Sequence, residues 1–187
     1  MKKGIVCGIG INDLKGTTLP SGKRDPIYQR WTNLLQRCTS YSDKKDSTYE
    51  DCTICEEWLT YSNFKKWMEA QDWQGKHLDK DFLFPGNKEY APDKCTFVSQ
   101  ALNNFTTDRK NHRGMVPIGV RPRPDTNRYA AACSNPITKK RDYLGDFDTP
   151  QEAHEAWRKR KHEIACALAE NESDLRLKNA LKQRYAQ

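Results

Sequence analysis

The chain has no long hydrophobic run. Nothing in it approaches the roughly 18 consecutive apolar residues that a membrane-spanning helix needs, so no membrane partner is expected. Its opening residues, Met1-Lys2-Lys3-Gly4, lead into no apolar stretch of the secretory type, and the expected location is the cytoplasm. It also lacks the doubled C-x-x-C pattern of a paired thiolate site. Seven cysteines, an odd number, are scattered along a chain without an export signal; they read as reduced thiols and not as a disulfide framework. At 187 residues the chain is long enough for one ordinary domain or two small ones.

What is present in excess is positive charge, and it is localised. Residues 1–105 carry 15 Lys/Arg against 14 Asp/Glu, residues 106–162 carry 13 against 7, and the last 25 residues carry 4 against 4. Nearly all of the net +7 therefore lies in one third of the chain. A concentrated basic field attracts polyanions, chiefly through phosphate contacts and counterion release; a solvated basic face is the alternative.

Residues 1–27 are rich in Gly, Pro and Lys and read as an arm of short strands with little core of its own. Helical spacing follows at Tyr28, Trp31, Leu34, Leu35 and Cys38. A second helix is expected from about Glu57 to Ala70, through Trp58, Tyr61, Phe64, Trp67 and Met68. Those aromatic residues read as core. Residues 77–84 look like a strand, and the polar, basic stretch 106–117 is the best linker. Beyond it, Ile118–Arg123, Arg128–Cys133 and Lys140–Leu144 read as three strands separated by turn residues. Asp148-Thr149-Pro150 is a helix start, and that helix should run to about Glu170 with Ala153, Ala156, Trp157, Ile164, Ala165 and Leu168 on its apolar side. Residues 171–187 form a last, peripheral helix. The fold class is thus α+β, with the carboxy-terminal part a three-stranded antiparallel sheet packed on one helix.

On these strands Arg121, Arg123 and Arg128 cluster, and Lys139, Lys140 and Arg141 lead into the third. Alternate residues of a strand share a face, so Arg121 and Arg123 point the same way. A twisted β-ribbon fits the major groove of duplex DNA, where Arg can bond guanine O6 and N7 in a bidentate manner and Lys suits phosphate.

Ile118-Gly119-Val120-Arg121-Pro122-Arg123, then Arg128-Tyr129-Ala130-Ala131, then Tyr143-Leu144-Gly145-Asp146-Phe147-Asp148-Thr149-Pro150-Gln151-Glu152-Ala153 and Ala156-Trp157 resemble the apetala-two/ethylene-response-factor (AP2/ERF) DNA-binding domain over residues 118–170. The resemblance implies a sheet that reads the major groove through Arg121, Arg123, Arg128 and Tyr129, with Lys139 and Arg141 as further DNA contacts. Tyr129 stands where that family commonly has Trp, and the turn Asp125-Thr126-Asn127 departs from its pattern, so no base preference carries over.

Residues 28–105 are similar to phage-encoded HNH-like (ββα-metal) proteins. The similarity runs through Arg37-Cys38, Ile54-Cys55-Glu56-Glu57-Trp58, Leu78-Asp79-Lys80-Asp81, Gly86-Asn87, Cys95-Thr96-Phe97 and Asn103-Asn104. It implies a divalent metal, Mg²⁺ or Mn²⁺, on Asp79 and Asp81 with Asn103 or Asn104, and a general base at position 80. The chain has Lys80 there, a poor base at neutral pH. His77, two residues from Asp79 on the same side of a strand, is the substitute base. Cys38, Cys52, Cys55 and Cys95 offer a structural Zn²⁺ site as an alternative to buried thiols.

The leading expectation is a sequence-directed double-stranded DNA-binding protein with a divergent nuclease module, acting in the bacterial cytoplasm if phage-encoded. An active metal-dependent endonuclease and a factor that binds a protein partner are the other two readings.

Overall fold

The computed structural model describes residues 4–18, 20–39, 49, 51–107 and 116–186. The fold is mixed α+β, in two compact units, residues 1–98 and 99–187.

The first unit is organised around aromatic side chains. It opens with an antiparallel hairpin of β1 (Gly4–Val6) and β2 (Gly10–Asn12). Gly10 lets this hairpin dock: a Cβ there would lie 2.4 Å from the Leu35 side chain and 2.9 Å from the Trp31 ring. Helix α1 (Pro26–Cys38) is started by Asp25, whose carboxylate accepts the Ile27 N–H at 2.8 Å, and by Pro26, which lacks the N–H a helix start leaves unused. A 3-10 turn over Glu56–Leu59 leads into α2 (Tyr61–Glu69), so the single helix expected from Glu57 is two pieces. Trp31, Trp58, Tyr61, Phe64, Met68 and Tyr90 are almost wholly buried. The Trp31 indole donates to the Trp58 carbonyl at 2.7 Å, which gives the buried N–H its partner.

Two short ladders complete this unit. β3 (Thr53–Ile54) runs parallel to β5 (Glu89–Tyr90), and β4 (His77–Asp79) runs antiparallel to β6 (Thr96–Val98). The strand expected over 77–84 ends at Asp79. The cause is local: Asp79 Oδ1 accepts the N–H groups of Asp81 (3.0 Å) and Phe82 (2.7 Å), which turns the chain out of the ladder. Asn87 Nδ2 then ties the returning chain to the Lys80 and Glu89 carbonyls.

The second unit begins with the short helix α3 (Gln100–Thr106), capped by Ser99. Its centre is the antiparallel sheet of β7 (Val120–Arg123), β8 (Arg128–Asn135) and β9 (Lys140–Phe147), in that order. The last two strands run further than the sequence pattern suggests. Helix α4 (Pro150–Ala169) covers one face, its start fixed by a reciprocal Thr149–Glu152 capping box. The contact is made through small residues: Ala131 and Cys133 of β8, and Ala153 and Ala165 of α4, are fully buried. Helix α5 (Leu175–Arg184) is no peripheral appendage, because Leu177 and Leu181 are buried and Glu170 binds both Lys178 (2.8 Å) and Lys182 (2.7 Å). Residues 108–115, most of the expected linker, lie outside the described residues. No helix among the described residues is long and apolar enough to cross a membrane.

Candidate nucleic-acid interface

The register of the three-stranded sheet sorts its side chains into two faces. Arg121 lies opposite Ala130 and Arg123 opposite Arg128; across the next ladder Ala132 faces Tyr143 and Ser134 faces Arg141. Directly paired residues project to the same side of a sheet. Arg121, Arg123, Arg128, Arg141 and Tyr143 therefore share the face that α4 leaves open. Ala130 and Ala132 lie between them, and most of these side chains line one shallow hollow of about 270 Å³. The small alanines keep the centre of the sheet low, so the arginines rise around it.

Tyr129 is elsewhere. It pairs with Pro122 and Phe147, in the rows that alternate with the arginine rows, and so projects to the α4 side. On the open face the aromatic residue is Tyr143, 58% exposed. The sequence reading passed it over, although its position two residues after Arg141 on one strand carries the signal. Lys139 sits in the β8–β9 turn with φ of 56°, beside the exposed Lys140.

The arginines differ in how they are held. Arg123 Nε is 3.3 Å from Asp146 Oδ1. Arg128 reaches Asp148 Oδ1 at 3.0 Å and the Asp146 carbonyl at 2.7 Å. A hydrogen bond from Tyr143, and then the charge of Arg123, holds the Asp146 carboxyl below its ordinary value despite partial desolvation. Arg121 and Arg141 make no ion pair or hydrogen bond among the described residues. Two guanidinium groups are thus preset in direction and two are uncommitted.

The expected metal and catalytic residues are arranged differently. His77 is exposed on β4 opposite Val98. Lys80 is 8% exposed, with its ammonium 3.2 Å from Asp81 Oδ2 and 6.0 Å from the centre of the Tyr90 ring. Burial, reinforced by Asp81, pushes the Asp79 carboxyl up to about 6. Its Oδ1 already serves the turn. Asn103 and Asn104 stand on α3, in the second unit, and Asn104 Oδ1 accepts the Gln100 amide at 2.8 Å.

Among the described residues no group of three or more His, Cys, Asp or Glu side chains is placed to hold a metal ion. Asp79 Oδ1 is committed to its turn and Lys80 to Asp81, so these side chains are not arranged as a ready divalent-metal site among the described residues. Cys52 and Cys95 are buried in the aromatic core, with Cys38 and Cys55 packed against it. Burial pushes the Cys95 thiol up to about 12.

Comparison with known proteins finds two plant transcription factors. The chain is 44% identical over 131 residues to Ethylene-responsive transcription factor ERF116 of Arabidopsis thaliana, a stretch covering 70% of this chain and 40% of that protein. It is 41% identical over 75 residues to Ethylene-responsive transcription factor ERF117 of the same plant, covering 39% of this chain and 22% of that protein. The chain thus spans less than half the length of either relative. The relatives support the AP2/ERF-type resemblance; they lend none to an HNH nuclease or a phage source. No protein-family model matches the chain, and no solved structure matches it.

Proposed function

We propose that this chain binds double-stranded DNA in a sequence-directed way, with the open face of β7–β8–β9 as its reading surface. One observation carries the reading: four arginines and an exposed tyrosine stand on the single sheet face that α4 leaves uncovered. A three-stranded sheet of this kind enters the major groove as a twisted ribbon. There Arg121 and Arg141, uncommitted within the protein, are free to take guanine edges or phosphates. Arg123 and Arg128 arrive already oriented by Asp146 and Asp148, which lowers the ordering cost of binding. The names of the two relatives, both transcription factors, support a role in directing an effect to chosen sites on DNA.

The first unit keeps an HNH-like reading only at the level of its order of elements. The β4–β6 pair carries Asp79, but Lys80 stands where a base is needed and is ion-paired to Asp81. We read it as a divergent, non-cleaving module.

Selection of bound sites from random duplex DNA tests the proposal, with the same pool incubated with Mg²⁺ or Mn²⁺ and examined for cuts. Enrichment of a shared motif without cleavage is the expected result. A pool that shows no enrichment would sink the DNA-reading proposal. Metal-dependent cutting that Asp79→Ala abolishes would restore the nuclease.

A further inference from the structure

Beside the reading face the second unit holds a larger pocket, of about 790 Å³. It exists because β7 begins only at Val120, opposite Ala131. Beyond that point β8 has β9 on one side and, among the described residues, no strand on the other. The pocket occupies the gap, between the open edge of β8 and residues of α3 and α4.

Its apolar wall is made by Phe105, Ile118 and Trp157. That wall is held rigidly. Gly119 has φ of 84°, and a Cβ on it would lie 2.1 Å from the Trp157 ring, so the indole rests directly on backbone. His154 also stacks on the ring at 5.4 Å, and its Nδ1 lies 2.9 Å from the Ile118 carbonyl.

The charged residues of the described lining are all of one sign, beside the neutral Asn104, Ser134 and Asn135. Lys161, 7% exposed, donates to the Phe105 carbonyl at 2.5 Å, with the Phe105 ring centre 3.6 Å away. The Trp157 and Tyr185 rings flank it at 5.6 Å. An ammonium carries three N–H donors, and this is its one hydrogen bond among the described residues. Lys139, Lys140 and Arg141 stand on the rim. The described lining contains no Asp or Glu, and none of these four cations makes an ion pair among the described residues.

A rigid aromatic wall with a few convergent polar groups, at this size, is the usual form of a small-molecule site. Four cations without an ion pair among the described residues define the charge of its occupant. We propose that this pocket binds a small aromatic anion: a planar ring system bearing a phosphate, sulfonate or carboxylate. The ring lies against Trp157 and Phe105, and the acid group is drawn to Lys161 and Lys140. Burial holds the Lys161 amine down to about 8, and an anion beside it would offset that desolvation. The site does not depend on the DNA-binding reading. A backbone phosphate would supply the same acid group without the ring.

Titration of the full chain with 8-anilinonaphthalene-1-sulfonate, an aromatic sulfonate that fluoresces on leaving water, tests the proposal. Saturable one-site binding is expected. Affinity should fall roughly tenfold in Lys161→Met and in Lys140→Glu, the usual effect of losing one charge-assisted hydrogen bond. Lys159→Glu, an exposed charge of α4 outside the pocket, should bind as wild type. Lys140 is on the exposed rim, so its variant decides the matter even if Lys161→Met fails to fold. Unsaturable binding by the wild type, or unchanged affinity in Lys140→Glu, overturns the proposal. The dye should also stay bound when duplex DNA is added; its displacement would assign the pocket to a backbone phosphate and overturn the free-ligand reading.

Discussion

The two units differ in their balance of charge, with 15 Lys/Arg against 14 Asp/Glu over residues 1–98 and 17 against 11 over residues 99–187. In the first, charged side chains close its own loops. Asp79 caps a turn, Lys80 pairs with Asp81, Lys94 pairs with Glu89, and Lys65 lies 2.6 Å from Glu69. In the second, Ala131, Ala153 and Ala165 let sheet and helix pack closely, and among the described residues Arg121, Lys140, Arg141 and Lys161 have no carboxylate partner. Both units hold a lysine that is less than 9% exposed, yet Lys80 has a carboxylate partner and Lys161 has aromatic rings and a carbonyl. A balanced unit has little left to offer a polyanion, whereas an unbalanced one gains by meeting it. On the function proposed above, the first unit is scaffold and the second does the recognition.

The strongest way to break that comparison is to disable one unit and ask whether the other notices. Trp31→Ala, removing a fully buried indole and its 2.7 Å hydrogen bond, should cost the first unit about 3–5 kcal/mol in urea unfolding. Affinity for a selected duplex should change little; a matching loss of binding would tie recognition to the first unit. Gly119→Val reverses the experiment. A side chain at that φ, driven into Trp157, should destabilise the second unit by about 2–4 kcal/mol, with the loss visible in near-UV circular dichroism.

Smaller changes sharpen the assignment. Arg121→Ala and Arg141→Ala should each weaken specific binding by about 1–3 kcal/mol in a fluorescence-anisotropy titration, without moving the unfolding midpoint. Tyr143→Phe should cost roughly 1 kcal/mol, and more than Tyr129→Phe, because only Tyr143 shares the arginine face. In the first unit, Asp79→Ala should lose about 1 kcal/mol of stability through its turn bonds, whereas Asp79→Asn keeps the Oδ1 acceptor and removes a buried charge. Equal melting temperatures for the two variants would contradict the turn-capping role.

A further effect is one of pH. The Lys161 amine sits at about 8 in the folded chain because of burial, below the ordinary lysine value of about 10.4. Between those values the unfolded chain binds the extra proton, so the stability of the second unit should rise as pH increases from about 8 toward 10. Lys161→Met should flatten that slope in urea titrations taken across this range.

Much of this was written in the chain. The spacing of Tyr28, Trp31, Leu34 and Leu35 is that of α1, and Thr149-Pro150 with Glu152 marks the start of α4, because capping and periodicity act within a few residues. The run of Arg on two short strands, and the excess charge of one third of the chain, pointed to the face that the sheet leaves open. Lys161 drew no expectation from the sequence, although a charge four residues after Trp157, in the middle of an apolar stripe, carries a signal of its buried environment.

Other features depended on distance in three dimensions. Asp79 and Lys80 gave an HNH-like pattern as letters, but only the folded turn shows the carboxylate committed to Asp81 and Phe82 and the ammonium to Asp81. Sequence alone placed arginines on strands; which aromatic residue joins them depended on register, since a shift of one residue moves a side chain to the opposite face. That is why Tyr129 carried the resemblance and Tyr143 holds the position. The pocket was least legible of all, because it arises where β7 starts too late to cover β8, and no local pattern records the edge that a strand leaves bare.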